Sequence, residues 1–118
     1  MRPSPPVMLY DGDCKFCKRW IQRWAHLTEE RVTYLAYQDH LKEFPQVTEE
    51  DCRNAVQFIE SDGTVYQAAE AVLRTFLYTK SYGWLYRWYK KSKLFASFAE
   101  LLYKAVAKNR DFLSGIGL

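Results

Sequence analysis

Cys14-Lys15-Phe16-Cys17 stands directly behind a short apolar run and a tight turn, and no other feature constrains the chain as strongly. Val7-Met8-Leu9-Tyr10 has the unbroken apolar character of a strand buried on both faces. It stops at Asp11-Gly12-Asp13, a strong turn signal. Beyond the turn Phe16, Trp20, Trp24 and Leu27 recur at helical spacing, with Cys17 and Ile21 beside them. Lys15, Lys18, Arg19, Gln22 and Arg23 take the opposite side. Asp13 is the expected N-cap, because its carboxylate can accept from the unpaired amides of the first turn. Cys14 and Cys17 then share one helical turn, close enough for their sulfurs to bridge.

The rest of the chain supplies a frame for this turn. Val32-Thr33-Tyr34-Leu35-Ala36 reads as a second strand, and the polar stretch 38–46, with Pro45, as a loop or broken helix. Thr48-Glu49-Glu50-Asp51 reads as a capped helical turn that takes in Cys52. Residues 55–60 form a third strand, Asp62-Gly63 a hairpin turn, and residues 64–67 the returning strand. After that the pattern is helical. Its stripes are Ala69, Val72, Leu73, Phe76 and Leu77, then Trp84, Leu85, Trp88 and Tyr89, then Phe95, Phe98, Leu102, Ala105 and Val106. A βαβ unit, a hairpin and covering helices make a compact α/β arrangement. Residues 1–6 read as an extended tail and 7–118 as a single domain.

Cys14 sits near the positive end of the helix dipole, with Lys15, Lys18 and Arg19 nearby, and these favour a thiolate. Asp11 and Asp13 act in the opposite sense. Cys14 is the candidate nucleophile, Cys17 the more buried resolving thiol, and Asp11 a turn-fixing or proton-handling group. A structural metal is the competing use of two cysteines. A closed zinc site takes four ligands, however, and Cys52, His26 and His40 show no paired spacing. Two cysteines serving as small core residues are the plainer alternative. Asp11-Gly12-Asp13 behind a strand also resembles a haloacid dehalogenase-like nucleophile motif, but no acid stands between Ala71 and Ala99 to supply its magnesium site.

The chain has 118 residues, 48% hydrophobic and 26% charged, which suits one globular domain. No run of about 18 apolar residues occurs, and Met1-Arg2-Pro3-Ser4-Pro5-Pro6 has no apolar segment behind its basic residue, so the chain reads as cytoplasmic. A net charge of +3 is too small to imply nucleic acid. The charge is uneven: Arg74, Lys80, Arg87, Lys90, Lys91 and Lys93 face no acid from Ala71 to Ala99. Aromatic and basic residues alternate over 84–93, which suits a partner or membrane surface. The spacing of Trp84, Leu85, Trp88 and Tyr89 favours core packing over that reading, and nucleic acid comes last.

Tyr10-Asp11-Gly12-Asp13-Cys14-Lys15-Phe16-Cys17 followed by an aromatic helix resembles the DCC family of predicted thiol-disulfide oxidoreductases, with Asp11, Cys14 and Cys17 matching its signature. Residues 58–66 followed by Ala68-Ala69-Glu70-Ala71-Val72-Leu73 resemble the middle of that family, and Ala107-Lys108-Asn109-Arg110 its ending. The resemblance implies a thioredoxin-like fold: a βαβ unit plus a β-hairpin in a four-stranded mixed sheet, with additional C-terminal helices. It implies CxxC thiol-disulfide exchange on a disulfide- or thiol-containing protein or small molecule, with no cofactor. A non-enzymatic interaction module and a metal carrier are the alternatives. Asn109 and Arg110 form an exposed-looking pair, a candidate to approach the cysteines or bind an anion.

There are departures. Ala68 stands where the family usually has glycine. Against thioredoxins, no tryptophan precedes Cys14, and Asn54 and Ala55 occupy the stretch where a cis-proline would help to hold an extended substrate. Cys52, just upstream of that stretch, is read mainly as a helix cysteine and secondarily as a third thiol.

Overall fold

Alternate residues of the first strand serve two different cores. In a computed structural model that describes residues 5–115, β1 (Val7–Tyr10) is the second strand of a four-stranded sheet ordered β2-β1-β3-β4. It pairs parallel with β2 (Thr33–Ala36) and antiparallel with β3 (Gln57–Ile59), which pairs antiparallel with β4 (Val65–Gln67). Alternation along β1 then builds two cores. Met8 packs with Ile21, Val32, Phe58 and Ala71, whereas Leu9 packs with Tyr37, Val47, Cys52 and Ile59. Helix α1 (Lys15–Thr28) supplies Ile21 to the first core, and α4 (Ala68–Thr75) supplies Ala71. The short helices α2 (Tyr37–His40) and α3 (Glu49–Asn54) supply Tyr37 and Cys52 to the second. Of the tail 1–6, residues 1–4 lie outside the described residues, while Pro6 is buried and its carbonyl accepts from Thr33 N at 2.9 Å.

The expected strands are all present, with frayed ends trimmed by one or two residues. The capped turn at Thr48 forms a full capping box: Asp51 N donates to Thr48 Oγ1, and Thr48 N to the Asp51 carboxylate. The expected loop at 38–46 instead contains α2 and a 3-10 turn over Leu41–Glu43.

The largest correction concerns the C-terminal stripes. Helices α5 (Gly83–Lys91) and α6 (Lys93–Lys108) follow a 3-10 turn at Phe76–Tyr78, and α7 (Arg110–Gly115) ends the described chain. Trp84 and Trp88, expected in the core, are 51% and 48% exposed; Phe98 and Leu102 are 61% and 52% exposed. The buried residue of α5 is Tyr86, held by polar partners: its hydroxyl donates to Glu70 at 2.9 Å and accepts from Arg74 at 3.1 Å. Tyr89 donates to Glu100 at 2.7 Å. These bonds fix the helix with its tyrosines inward, which turns the tryptophan stripe toward solvent. Trp88 stacks on Phe95 across the α5–α6 corner, centroids 3.9 Å apart.

Ala68 carries a measurable strain. Its φ of 58° lies in the left-handed region, where a side chain costs roughly 1–2 kcal/mol. The conformation lets β4 turn straight into α4 while Ala68 N donates to Val56 O at 3.1 Å. Ala68→Gly relieves that strain and returns part of the gain through the entropy of the unfolded chain. The expected result is a net stabilisation of about 0.5–1 kcal/mol, read as a melting temperature higher by about 2–4 °C. An unchanged or lower melting temperature would contradict it.

Candidate functional site

The turn between β1 and α1 is held from three directions. Asp11 Oδ1 accepts from Asp13 N at 2.9 Å, an Asx turn, and from Gln38 Nε2 at 2.7 Å. Gln38 Oε1 accepts from Gly12 N at 2.9 Å, so one amide side chain from α2 clamps both sides of the turn. Gly12 is required here for space. A Cβ built on it would lie 2.8 Å from Ala36 Cβ and 3.1 Å from Gln38 Oε1. Gly12→Ala is therefore expected to cost about 1–3 kcal/mol by overpacking, and to slow reaction at Cys14 by displacing the turn. Thermal denaturation and alkylation rate check the two effects. A variant as stable as the parent would show that the turn has slack.

The clamp delivers Cys14, and not the expected Asp13, to the N-cap of α1. Cys14 Sγ accepts from Cys17 N at 3.2 Å, the position an Asp or Ser oxygen usually takes. Asp13 is drawn off toward Gln38 Nε2, 3.4 Å away. The Cys14 sulfur thus receives a first-turn amide directly, an interaction that strengthens when the sulfur is an anion.

Cys17 lies inward on the same turn. Burial, first, and the hydrogen bond to Cys14, second, push its thiol up to about 12, while a hydrogen bond from Arg110 pulls it down. Arg110 Nη1 donates to Cys17 Sγ at 3.4 Å, its Nε to Ala107 O at 3.2 Å, and α7 packs against α1. The residue suggested by the C-terminal motif therefore reaches the cysteines. Both cysteines are half-buried free thiols.

Cys52 is buried in the second core, its thiol raised to about 11 by burial and then by the charge of Asp51. A buried thiol of that kind is a poor nucleophile. Among the described residues no three His, Cys, Asp or Glu side chains group closely enough to hold a metal ion, so His26, His40 and Cys52 do not complete a set with the pair.

Beside Cys17 a cavity of about 370 Å³ opens between α1, α4 and α6. Phe16, Trp20, Val72, Phe95 and Leu102 line it, and Asp11, Cys17, Cys52, Asn54, Tyr103 and Arg110 bring thiol and polar groups to its wall. Stretch 54–56 closes another side. There Val56 N donates to Tyr103 Oη at 3.0 Å. Neither the cavity nor the tyrosine lock has a local sequence signal, because both are made by α6 packing against α4 and reaching Val56.

A dithiol at the start of the first helix, on a β2-β1-β3-β4 mixed sheet, defines a thioredoxin-like α/β domain with a thiol site. The chain belongs to the DCC1-like thiol-disulfide oxidoreductase family, whose description matches residues 8–116. Neither a search of curated proteins nor a search of solved structures found a match to the chain. No helix among the described residues is long and apolar enough to cross a membrane.

Proposed function

We propose that the protein exchanges thiols and disulfides through a mixed disulfide, with Cys14 as nucleophile, Cys17 as resolving thiol and Asp11 as the group that fixes their turn. The observation that carries this reading is the amide of Cys17 aimed at the Cys14 sulfur from the helix N-terminus. Cys14 thiolate attacks one sulfur of RS–SR′, forming Cys14–S–S–R; R′S⁻ leaves and takes a proton. Cys17 then gives up its proton and attacks Cys14 Sγ. RSH departs, and a Cys14–Cys17 disulfide remains. One substrate disulfide is reduced and two protein thiols are oxidised; the reverse sequence oxidises a substrate dithiol. A thiol-reducing compartment such as the cytoplasm suits a free dithiol with a third, buried cysteine.

The test is site-resolved alkylation. At pH 8 limiting iodoacetamide should modify Cys14 first, because the Cys17 thiol stays protonated well above that pH. Prior incubation with a small disulfide should protect both cysteines. Preferential labelling of Cys17, or no protection, would overturn the assignment.

A second reading concerns the face over residues 84–93. Trp84, Trp88 and Leu94 are exposed, and exposed Lys91 and Lys93 stand among them in sequence. Apolar residues flanked by lysines suit an anionic lipid surface. Co-sedimentation with phosphatidylglycerol vesicles, lost with phosphatidylcholine and weakened in Trp84→Ala/Trp88→Ala protein, is the expected result. Equal sedimentation with both lipids would rule it out.

A further inference from the structure

The cavity and the closed backbone beside it point to the substrate. Val56 stands just before β3 in the wall of the cavity that holds Cys17, so its main chain is the backbone an extended polypeptide could pair with beside the dithiol. Such docking needs free main-chain donors and acceptors. Here Val56 N already donates to Tyr103 Oη, and Val56 O already accepts from Ala68 N. Both groups are used within the fold, so an extended peptide finds no ladder there. An apolar cavity stands open instead, with Cys17 and Arg110 in its wall. Its 370 Å³ falls in the range of small-molecule sites, roughly 300–1,000 Å³.

We propose that the substrate is a small disulfide with an apolar alkyl or aryl body on one sulfur, that this body occupies the cavity beside Cys17, and that polypeptide disulfides are excluded by the Tyr103–Val56 bond. The proposal rests on the thiol-disulfide reading above. The sulfur carrying the apolar body becomes the one joined to Cys14, and the polar half leaves as R′SH. When Cys17 attacks Cys14 Sγ, the apolar thiol RSH is released from the cavity. A thiol-class reductant then returns the Cys14–Cys17 disulfide to the dithiol, two reductant thiols becoming one disulfide.

Mixed disulfides of cysteine with methanethiol, butanethiol and octanethiol test this directly, with reaction followed by loss of protein thiols. The second-order rate should rise roughly threefold to fourfold per methylene until the cavity is full. A disulfide joining two short unstructured peptides should react no faster than the methyl compound. Ala99→Phe, which fills the cavity, should flatten the octyl-to-methyl rate ratio. Tyr103→Phe, which frees Val56 N, should raise the peptide rate relative to the octyl rate. Because a variant can fail to fold, the wild-type series carries the decision. A flat series, or peptides that outpace the octyl compound, would overturn the proposal.

A separate measurement removes the redox step. S-octylcysteine, a thioether that cannot be reduced by thiols, should change the fluorescence of Trp20 and Trp24 in Cys14→Ser protein, since both line the cavity. Thioether binding without turnover of any disulfide would sink the redox reading and leave the apolar site standing. Disulfide turnover with no thioether binding and no chain-length dependence would do the reverse.

Discussion

Cys14→Ser protein is expected to lose disulfide exchange to the uncatalysed level, while Cys17→Ser protein still attacks but stalls as a mixed disulfide. The two cysteines differ because the fold treats them differently. Cys14 is the helix cap, its sulfur receiving the Cys17 amide; Cys17 is held neutral, chiefly by burial. The thiolate is the attacking species, so removing Cys14 leaves a thiol that resists ionisation near neutral pH. In Cys17→Ser protein the first step survives, and the adduct persists because the remaining thiol is a poor nucleophile: burial and then the charge of Asp51 raise Cys52 to about 11. Intact-mass spectrometry after incubation with a small disulfide reads both outcomes. A stable adduct on Cys14→Ser protein, carried by Cys17, would exchange the two roles. Equal exchange by both variants would remove the dithiol mechanism altogether.

What could be read from sequence follows the distance over which each feature is made. β1, the Asp11–Asp13 turn and α1 lie within one βα unit, and the hairpin at Asp62-Gly63 is closed by its own residues, so local pattern sufficed. The N-cap was displaced by one residue because cap preferences are built on oxygen acceptors, and here a sulfur takes the amide. Gln38 sat in a stretch that looked merely polar. Its role appears only once β2 lies parallel to β1 and brings it beside the turn. The orientation of α5 failed for a related reason. Periodicity gives a helix's apolar stripe, but Tyr86 and Tyr89 bury through hydrogen bonds to Glu70, Arg74 and Glu100, which no hydrophobic pattern records.

The bond between Tyr103 and Val56 spans 47 positions and carried no signal at all.

Arg110→Ala is expected to slow the resolving step by about tenfold to a hundredfold, the worth of a hydrogen bond to a charged group, roughly 1.5–3 kcal/mol. Arg110 and Cys17 lie 93 positions apart, and the motif that singled out Arg110 said nothing of its target. Burial raises the Cys17 thiol first, the hydrogen bond to Cys14 raises it further, and Arg110 lowers it. Once Cys14 is tied up in a mixed disulfide it is no longer a thiol, and its opposing influence on Cys17 falls away. Burial and Arg110 then remain, pulling in opposite directions. Without the guanidinium, burial acts alone, so Cys17 ionises at higher pH and the pH profile of resolution moves to the alkaline side. Attack by Cys14 does not require the Cys17 anion, so the rate of adduct formation should change much less. Arg110→Lys restores the charge without the planar fork and should recover part of the rate. Quenched-flow separation of adduct formation from adduct decay tells these steps apart, with melting temperature recorded for each variant. Decay at the parental rate and parental pH dependence in Arg110→Ala protein would confine Arg110 to tying α7 against α1. A decay rate that Arg110→Lys partly rescues at unchanged stability would make it part of the thiol chemistry.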